Sequence, residues 1–129
     1  MVKIKSFLLA FSIVLLSQCE DQIVSECKTG ETVVMPARFS AIQERVFTPI
    51  CVECHSGSVP TGNLRLSAGN AYSQLIDKQI VIPGNSESSI LFSRLTSDDP
   101  NFYMPPTGKL SQVLIDSIAA WIDKGAPND

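Results

Sequence analysis

From residue 36 onward, apolar and polar positions alternate with the period of an α-helix. The first apolar stripe has helical spacing and consists of Phe39, Ile42, Val46 and Phe47. Thr48-Pro49 interrupts this stripe. We expect a bend there, because Thr48 can cap and Pro49 can open a second short helix. That second helix would carry Ile50 and residues 51–55.

Two shorter helical patterns come next along the chain. Residues 71–77 form the first, and Ser86 is a candidate N-cap for the second, which ends near Leu95. The only β-like run lies between them, at residues 79–82. It is flanked by loops and too short to form a sheet.

The last helical pattern has the clearest boundaries. Ser111 is a good N-cap, and Gly125 is typical of the position just past a helix end. The apolar stripe between them consists of Leu114, Ile118, Trp121 and Ile122. With no strand to form a second layer, these patterns predict an all-α domain over residues 36–129.

The N-terminal segment has a different pattern. Lys3 and Lys5 precede a short apolar stretch at residues 7–16, which is the layout of a secretory signal. Cys19 follows closely, and this arrangement resembles the processing site of bacterial lipoproteins. We therefore predict a signal peptide over residues 1–18, a lipidated Cys19 that anchors the protein to a membrane, and a tether over residues 19–35. The alternative is a cleaved signal and a fully soluble protein.

Composition and charge narrow the class of protein. The hydrophobic content of 44% is ordinary for a globular domain, and no Lys/Arg run occurs beyond the N-terminus, which argues against nucleic-acid binding. Removal of Lys3 and Lys5 with the signal changes the formal net charge from −3 to −5. A protein partner that docks by electrostatics would therefore present a basic face.

The cysteines and the single histidine carry the chemistry. His55 directly follows Cys54, and residues 51–55 read C-x-x-C-H, the haem-attachment signature. Residues three and four apart share one face of a helical turn. Two thiols can therefore form thioethers to one porphyrin, and the His55 imidazole can bind its iron from the same side. We predict one covalent haem c on Cys51 and Cys54.

Other interpretations of this motif lack the residues that they need. A zinc site needs a second ligand pair, and a thioredoxin-like redox site needs a βαβ pattern. A plain disulfide is the third alternative. Cys27 is expected to be unpaired in the tether, or bridged to Cys19 if Cys19 carries no lipid.

Met104 is the candidate for the other axial position on the iron. No second histidine exists, and methionine is the usual alternative ligand in cytochromes c. Met1 would leave with the signal, and Met35 is poorly placed before the first helix. Met104 stands in the stiff sequence FYMPP at residues 102–106. The alternative role for Met104 is that of an apolar gap-filler.

The order CVECH, PGNSESSILFSRL, MPP and LIDSIAAWIDKGAP resembles the single-haem cytochrome c domains of bacterial exported proteins, over residues 36–127. The resemblance implies the small class I cytochrome c fold, in which the N- and C-terminal helices cross through Phe39 or Phe47 against Trp121. It also implies a backbone carbonyl near Pro60 or Gly62 that accepts a hydrogen bond from His55 Nδ1.

A set of further residues is predicted to surround the haem, with ordinary core packing as the alternative role. The predicted pocket consists of Pro60, Gly62, Leu64, Leu66, Ile90, Leu91, Arg94 and Phe102. Arg65 and Arg94 can pair with haem propionates, or can be solvated.

The expected function is electron transfer with redox partner proteins, on the periplasmic side of the cytoplasmic membrane. Iron with two protein ligands has no vacant position for a substrate. The alternative is a haem-based sensor in which a small molecule displaces Met104. We do not expect an enzyme, because no second histidine is available for acid–base work and no second C-x-x-C-H exists.

Overall fold

The computed structural model describes residues 34–129. The predicted signal peptide, Cys19, Cys27 and the tether up to residue 33 lie outside the described residues. None of the helices in the described part is long and apolar enough to span a bilayer.

The described part of the chain contains four α-helices and no strands, which confirms the all-α prediction. The helices are α1 (Phe39–Ile42), α2 (Ala71–Asp77), α3 (Ile90–Thr96) and α4 (Gln112–Asp123). A π-helical segment, Gln43–Cys51, continues α1, and a 3₁₀ turn covers Thr61–Asn63. The bounds predicted for α2 are those that the structure has.

The first helix runs through Thr48-Pro49 without a break, so the prediction of a second helix there is wrong. The segment is wound as a π-helix, and the Val52 N–H donates to the Phe47 carbonyl, five residues earlier, at 3.0 Å. Proline lacks an N–H, and its ring crowds the carbonyl of the preceding turn. The wider π winding accommodates both effects. Thr48 does not cap, because no helix begins there. Its Oγ1 accepts a hydrogen bond from Gln43 Nε2 at 3.0 Å.

Aromatic packing joins the first and last helices. The Phe39 ring lies 5.6 Å from the Trp121 ring, centroid to centroid, and 6.2 Å from the Phe47 ring. Tyr72 of α2 packs edge-on against Phe39, with 5.2 Å between centroids. Trp121 and Phe47 are fully buried. The contact between Phe39 and Trp121 is the one implied by the resemblance.

The ends of α1 and α4 also exchange polar contacts. Arg38, the residue before α1, makes no side-chain cap. Asp129 takes that role: its Oδ1 accepts the Phe39 N–H at 2.7 Å, and its carbonyl oxygen accepts the Ser40 N–H at 2.9 Å. The start of α1 is therefore capped by a residue 90 positions later.

The end of α4 has the geometry that Gly125 predicts. Gly125 has φ +99°, and its N–H donates to the Ile122 carbonyl at 2.9 Å. The Ala126 N–H donates to the Trp121 carbonyl at 3.0 Å, which completes a Schellman motif. Ser111 occupies the N-cap position at the other end, without a side-chain cap bond.

Ser86 is not the N-cap of α3, which corrects that prediction. The N-cap position is Ser89. The Ser86 N–H and Oγ both donate to the carboxylate of Asp123, at 2.8 and 3.1 Å. Ser86 therefore ties the turn before α3 to the end of α4.

Met35, at the predicted end of the tether, packs inside the domain. Its side chain is 2% exposed, and its carbonyl oxygen accepts a hydrogen bond from Ser117 Oγ of α4 at 2.8 Å. Folded structure therefore includes Met35.

Candidate functional site

The C-x-x-C-H sequence forms a turn at the C-terminal end of the π-helical segment. The backbone N–H groups of Cys54 and His55 both donate to the Cys51 carbonyl, at 3.3 and 2.9 Å. This winding brings the three side chains to one side of the turn, and all three line the same cavity.

The loop after this turn folds back and orients the imidazole. His55 Nδ1 lies 2.9 Å from the carbonyl oxygen of Thr61. A carbonyl oxygen can only accept, so Nδ1 is the donor, which leaves Nε2 as the ring nitrogen that can bind a metal ion. The acceptor is thus the residue between Pro60 and Gly62, the two positions near which a carbonyl was expected.

Backbone hydrogen bonds hold that carbonyl in place. The Thr61 N–H donates to the Cys54 carbonyl at 3.0 Å, and the Leu66 N–H donates to the His55 carbonyl at 2.8 Å. Gly62 follows with φ +62°, a left-handed conformation that glycine adopts without strain. The turn Thr61–Asn63 therefore presents the Thr61 carbonyl to the imidazole through a short, tightly closed loop.

A cavity of about 270 Å³ lies beside this turn, and its wall is overwhelmingly apolar. Ten sequence-predicted residues line it: Cys51, Cys54, His55, Gly62, Leu64, Leu66, Ile90, Leu91, Arg94 and Met104. The structure thus brings together residues from the π-helical segment, the following loop, α3 and the loop before α4.

Two residues of the predicted pocket lie elsewhere. Pro60 is buried outside the cavity wall, one position before the carbonyl that binds His55. Phe102 is 37% exposed and stacks against Arg94. Arg65 also lies outside the wall, with its Nε buried and without a hydrogen-bond partner.

Six residues of the wall are not in the predicted set. They are Ile50, Thr61, Ile80, Leu95, Pro105 and Pro106. The two prolines directly follow Met104, and Leu95 belongs to the apolar stripe of α3, so the sequence contained a signal for these three. Ile80 lies in the β-like run 79–82, which gave no reason to connect it with a cavity.

Met104 reaches the cavity from the loop that joins α3 to α4. Its backbone N–H donates to the Arg94 carbonyl of α3 at 2.8 Å. The N–H groups of Phe102 and Tyr103 both donate to the Asp99 carbonyl at 2.9 Å, which makes a tight turn just before Met104. An ion pair between Lys109 and Asp98 closes the base of the loop. This ion pair lowers the pKa of the Asp98 carboxyl.

The cavity wall keeps one of the two thiols neutral. Burial, reinforced by the neighbouring Cys54, raises the pKa of the Cys51 thiol to about 11. An uncharged sulfur suits an apolar wall, and a thioether on the same sulfur would carry no charge either. Cys54, in contrast, is exposed at the cavity edge.

The donor set fits a covalently held haem. Residues that carry two thiols, an imidazole and a methionine thioether line one apolar cavity. These are the groups by which c-type cytochromes attach haem and bind its iron. The apolar side chains around them suit a porphyrin ring.

The comparison with protein families agrees with this chemistry. Residues 51–108 match the model of a family described as Planctomycete cytochrome C. The matched stretch begins at Cys51 and includes both His55 and Met104. Neither the curated proteins nor the solved structures contain a match to the chain. The family match supports a cytochrome c-like domain, and with it a covalently bound haem c.

Proposed function

We propose that this cytochrome c-like chain transfers electrons through a single haem c, attached at Cys51 and Cys54 and ligated by His55 and Met104. The observation that carries the proposal is the meeting of these four side chains at one apolar cavity. They come from the end of the π-helical segment with the turn after it and from the loop before α4, and His55 and Met104 are 49 residues apart. Ordinary core packing gives no reason for all four to converge there.

The residues of the chain prepare this site in two ways. The Thr61 carbonyl fixes the tautomer of His55 and makes Nε2 a stronger ligand. The loop bonds at Arg94 and Asp99 hold Met104 beside the cavity. When bound there, haem would supply a one-electron couple, whose potential a methionine ligand raises. Ligands that the chain holds in place favour electron transfer, because they need not move between redox states.

We also propose that the protein acts outside the cytoplasm, on the periplasmic side, held to a membrane by a lipid on Cys19. The signal-like layout of residues 1–18 supports export. The formal charge of −5 without the signal supports redox partners with a basic docking face. Ile90 lines the cavity and is 46% exposed, which offers such a partner an apolar contact at the cavity edge. We propose that the protein is not an enzyme.

An intact mass and an optical spectrum test the proposal. Protein made in a host competent for haem attachment should gain the mass of one haem, and its reduced spectrum should not change under carbon monoxide. Met104→Ala should open the iron to carbon monoxide and lower the reduction potential. Colourless protein with both thiols free to alkylate would contradict haem attachment. Ready carbon monoxide binding by the unaltered protein would favour the sensor function instead.

A further inference from the structure

One helical residue holds the loop that carries Met104. Within the described part, residues 100–110 make one hydrogen bond among themselves, from the Gly108 N–H to the Pro105 carbonyl, and others to Asp98 and Asp99 of the same loop. Their remaining hydrogen bonds go to Arg94. The Arg94 carbonyl accepts the Met104 N–H at 2.8 Å, and Arg94 Nη1 donates to the Phe102 carbonyl at 3.0 Å. Both hydrogen bonds that connect this loop to a helix therefore involve Arg94.

The Arg94 side chain makes a third contact with the loop. Its guanidinium carbon lies 3.6 Å from the centroid of the Phe102 ring. A planar guanidinium can stack its face on a ring while one of its N–H groups donates to a carbonyl. Lysine cannot replace the flat stack, because its ammonium is a compact charge without a flat face. The pair of contacts to Phe102 therefore depends on arginine itself.

The position of these contacts connects them to the cavity. Phe102 is two residues before Met104, and Arg94 itself lines the cavity. A shift of the Phe102 backbone would move Met104 with it, since Asp99 holds Phe102 and Tyr103 in one turn. The Arg94 side chain is thus placed to decide where the Met104 thioether sits.

We propose that Arg94 is a positioning residue, which keeps Met104 on the haem iron by clamping Phe102 through a stack and a hydrogen bond. This inference rests on the proposed function, because it takes Met104 as the second axial ligand. Methionine and an external ligand compete for one iron position. Loosening the clamp therefore raises the fraction of protein with an open iron, and the apparent affinity for carbon monoxide rises by the same factor.

The test compares haem-loaded variants by carbon monoxide titration of the reduced protein and by the high-spin fraction of the oxidised spectrum. Arg94→Leu removes both side-chain contacts, and we expect carbon monoxide to bind at least about tenfold more tightly than to the unaltered protein. Arg94→Lys keeps the charge but loses the stack and should give a change in the same direction. Arg45→Gln is the matched control, because Arg45 is exposed on the π-helical segment and its side chain makes no hydrogen bond in the described part.

A second variant keeps the test decisive if Arg94→Leu does not accumulate as folded protein. Phe102→Leu removes the ring from a side chain that is 37% exposed, and it keeps the backbone carbonyl. We expect a smaller gain in carbon monoxide affinity than for Arg94→Leu, in the same direction.

The proposal is overturned if Arg94→Lys and Phe102→Leu bind carbon monoxide no more tightly than Arg45→Gln. Failure of the underlying function gives a different result. In that case the unaltered protein already binds carbon monoxide readily, and Met104→Ala leaves its spectrum unchanged.

Discussion

The hydroxyl of Ser117 holds the chain segment before α1 against α4. Ser117 is 6% exposed, and its Oγ lies 2.8 Å from the Met35 carbonyl oxygen, 82 residues earlier. The Val113 carbonyl also lies 2.8 Å from this Oγ, but that carbonyl belongs to the backbone ladder of α4. In Ser117→Ala, the Met35 carbonyl loses its donor inside the protein. A buried acceptor without a partner costs about 1–3 kcal/mol.

Thermal unfolding of the haem-loaded protein, followed by circular dichroism, measures this cost. In a domain of this size, each kcal/mol lowers Tm by about 4–8 °C. Ser73→Ala is the matched control, because Ser73 Oγ donates to the Asn70 carbonyl at 3.0 Å at an exposed site where water can replace it. We expect a change within about 0.5 kcal/mol for this control. If both variants lower Tm equally, water reaches the Met35 carbonyl and the reasoning is refuted.

Two further predictions concern thiol reactivity and a helix end. In protein without haem, a short alkylation at pH 8 should modify Cys54 before Cys51, and Cys51 should become reactive only as pH rises toward its pKa of about 11. Peptide masses check this order, and equal rates at pH 8 would contradict it. Gly125→Ala should lower the free energy of unfolding by about 1–2 kcal/mol, because φ is +99° there. The measurement is urea unfolding, with Asn128→Ala at an exposed site nearby as the control. Equal unfolding midpoints for these two variants would count against backbone strain at Gly125.

Local signals predicted the parts of the fold that depend on neighbouring residues. The helix Ala71–Asp77 has the predicted bounds because helical spacing within those residues decides them. Gly125 ends α4 as expected, since a left-handed residue there completes bonds within a few positions. In the same way, C-x-x-C-H brought Cys51 and His55 to one cavity because a single turn contains them both.

Long-range contacts explain what the sequence did not predict. Ser86 looked like a helix cap, but the carboxylate of Asp123 engages it from 37 residues away. The course of the helix through Pro49 depends on π winding, which leaves no short-range sequence pattern. Phe102 was expected in the pocket. Its ring instead stacks against the Arg94 guanidinium.

The cap that Asp129 places on α1 connects the proposed haem site to the C-terminal residues. α1 leads directly into the π-helical segment that ends at Cys51, and an isolated helix of this length is only marginally stable in water. The residues near 129 therefore support, through Asp129, the start of the helix whose other end presents the two thiols and the imidazole. A shortened version that lacks those residues would keep every predicted ligand, yet it would lose the support at the start of the helix that presents them.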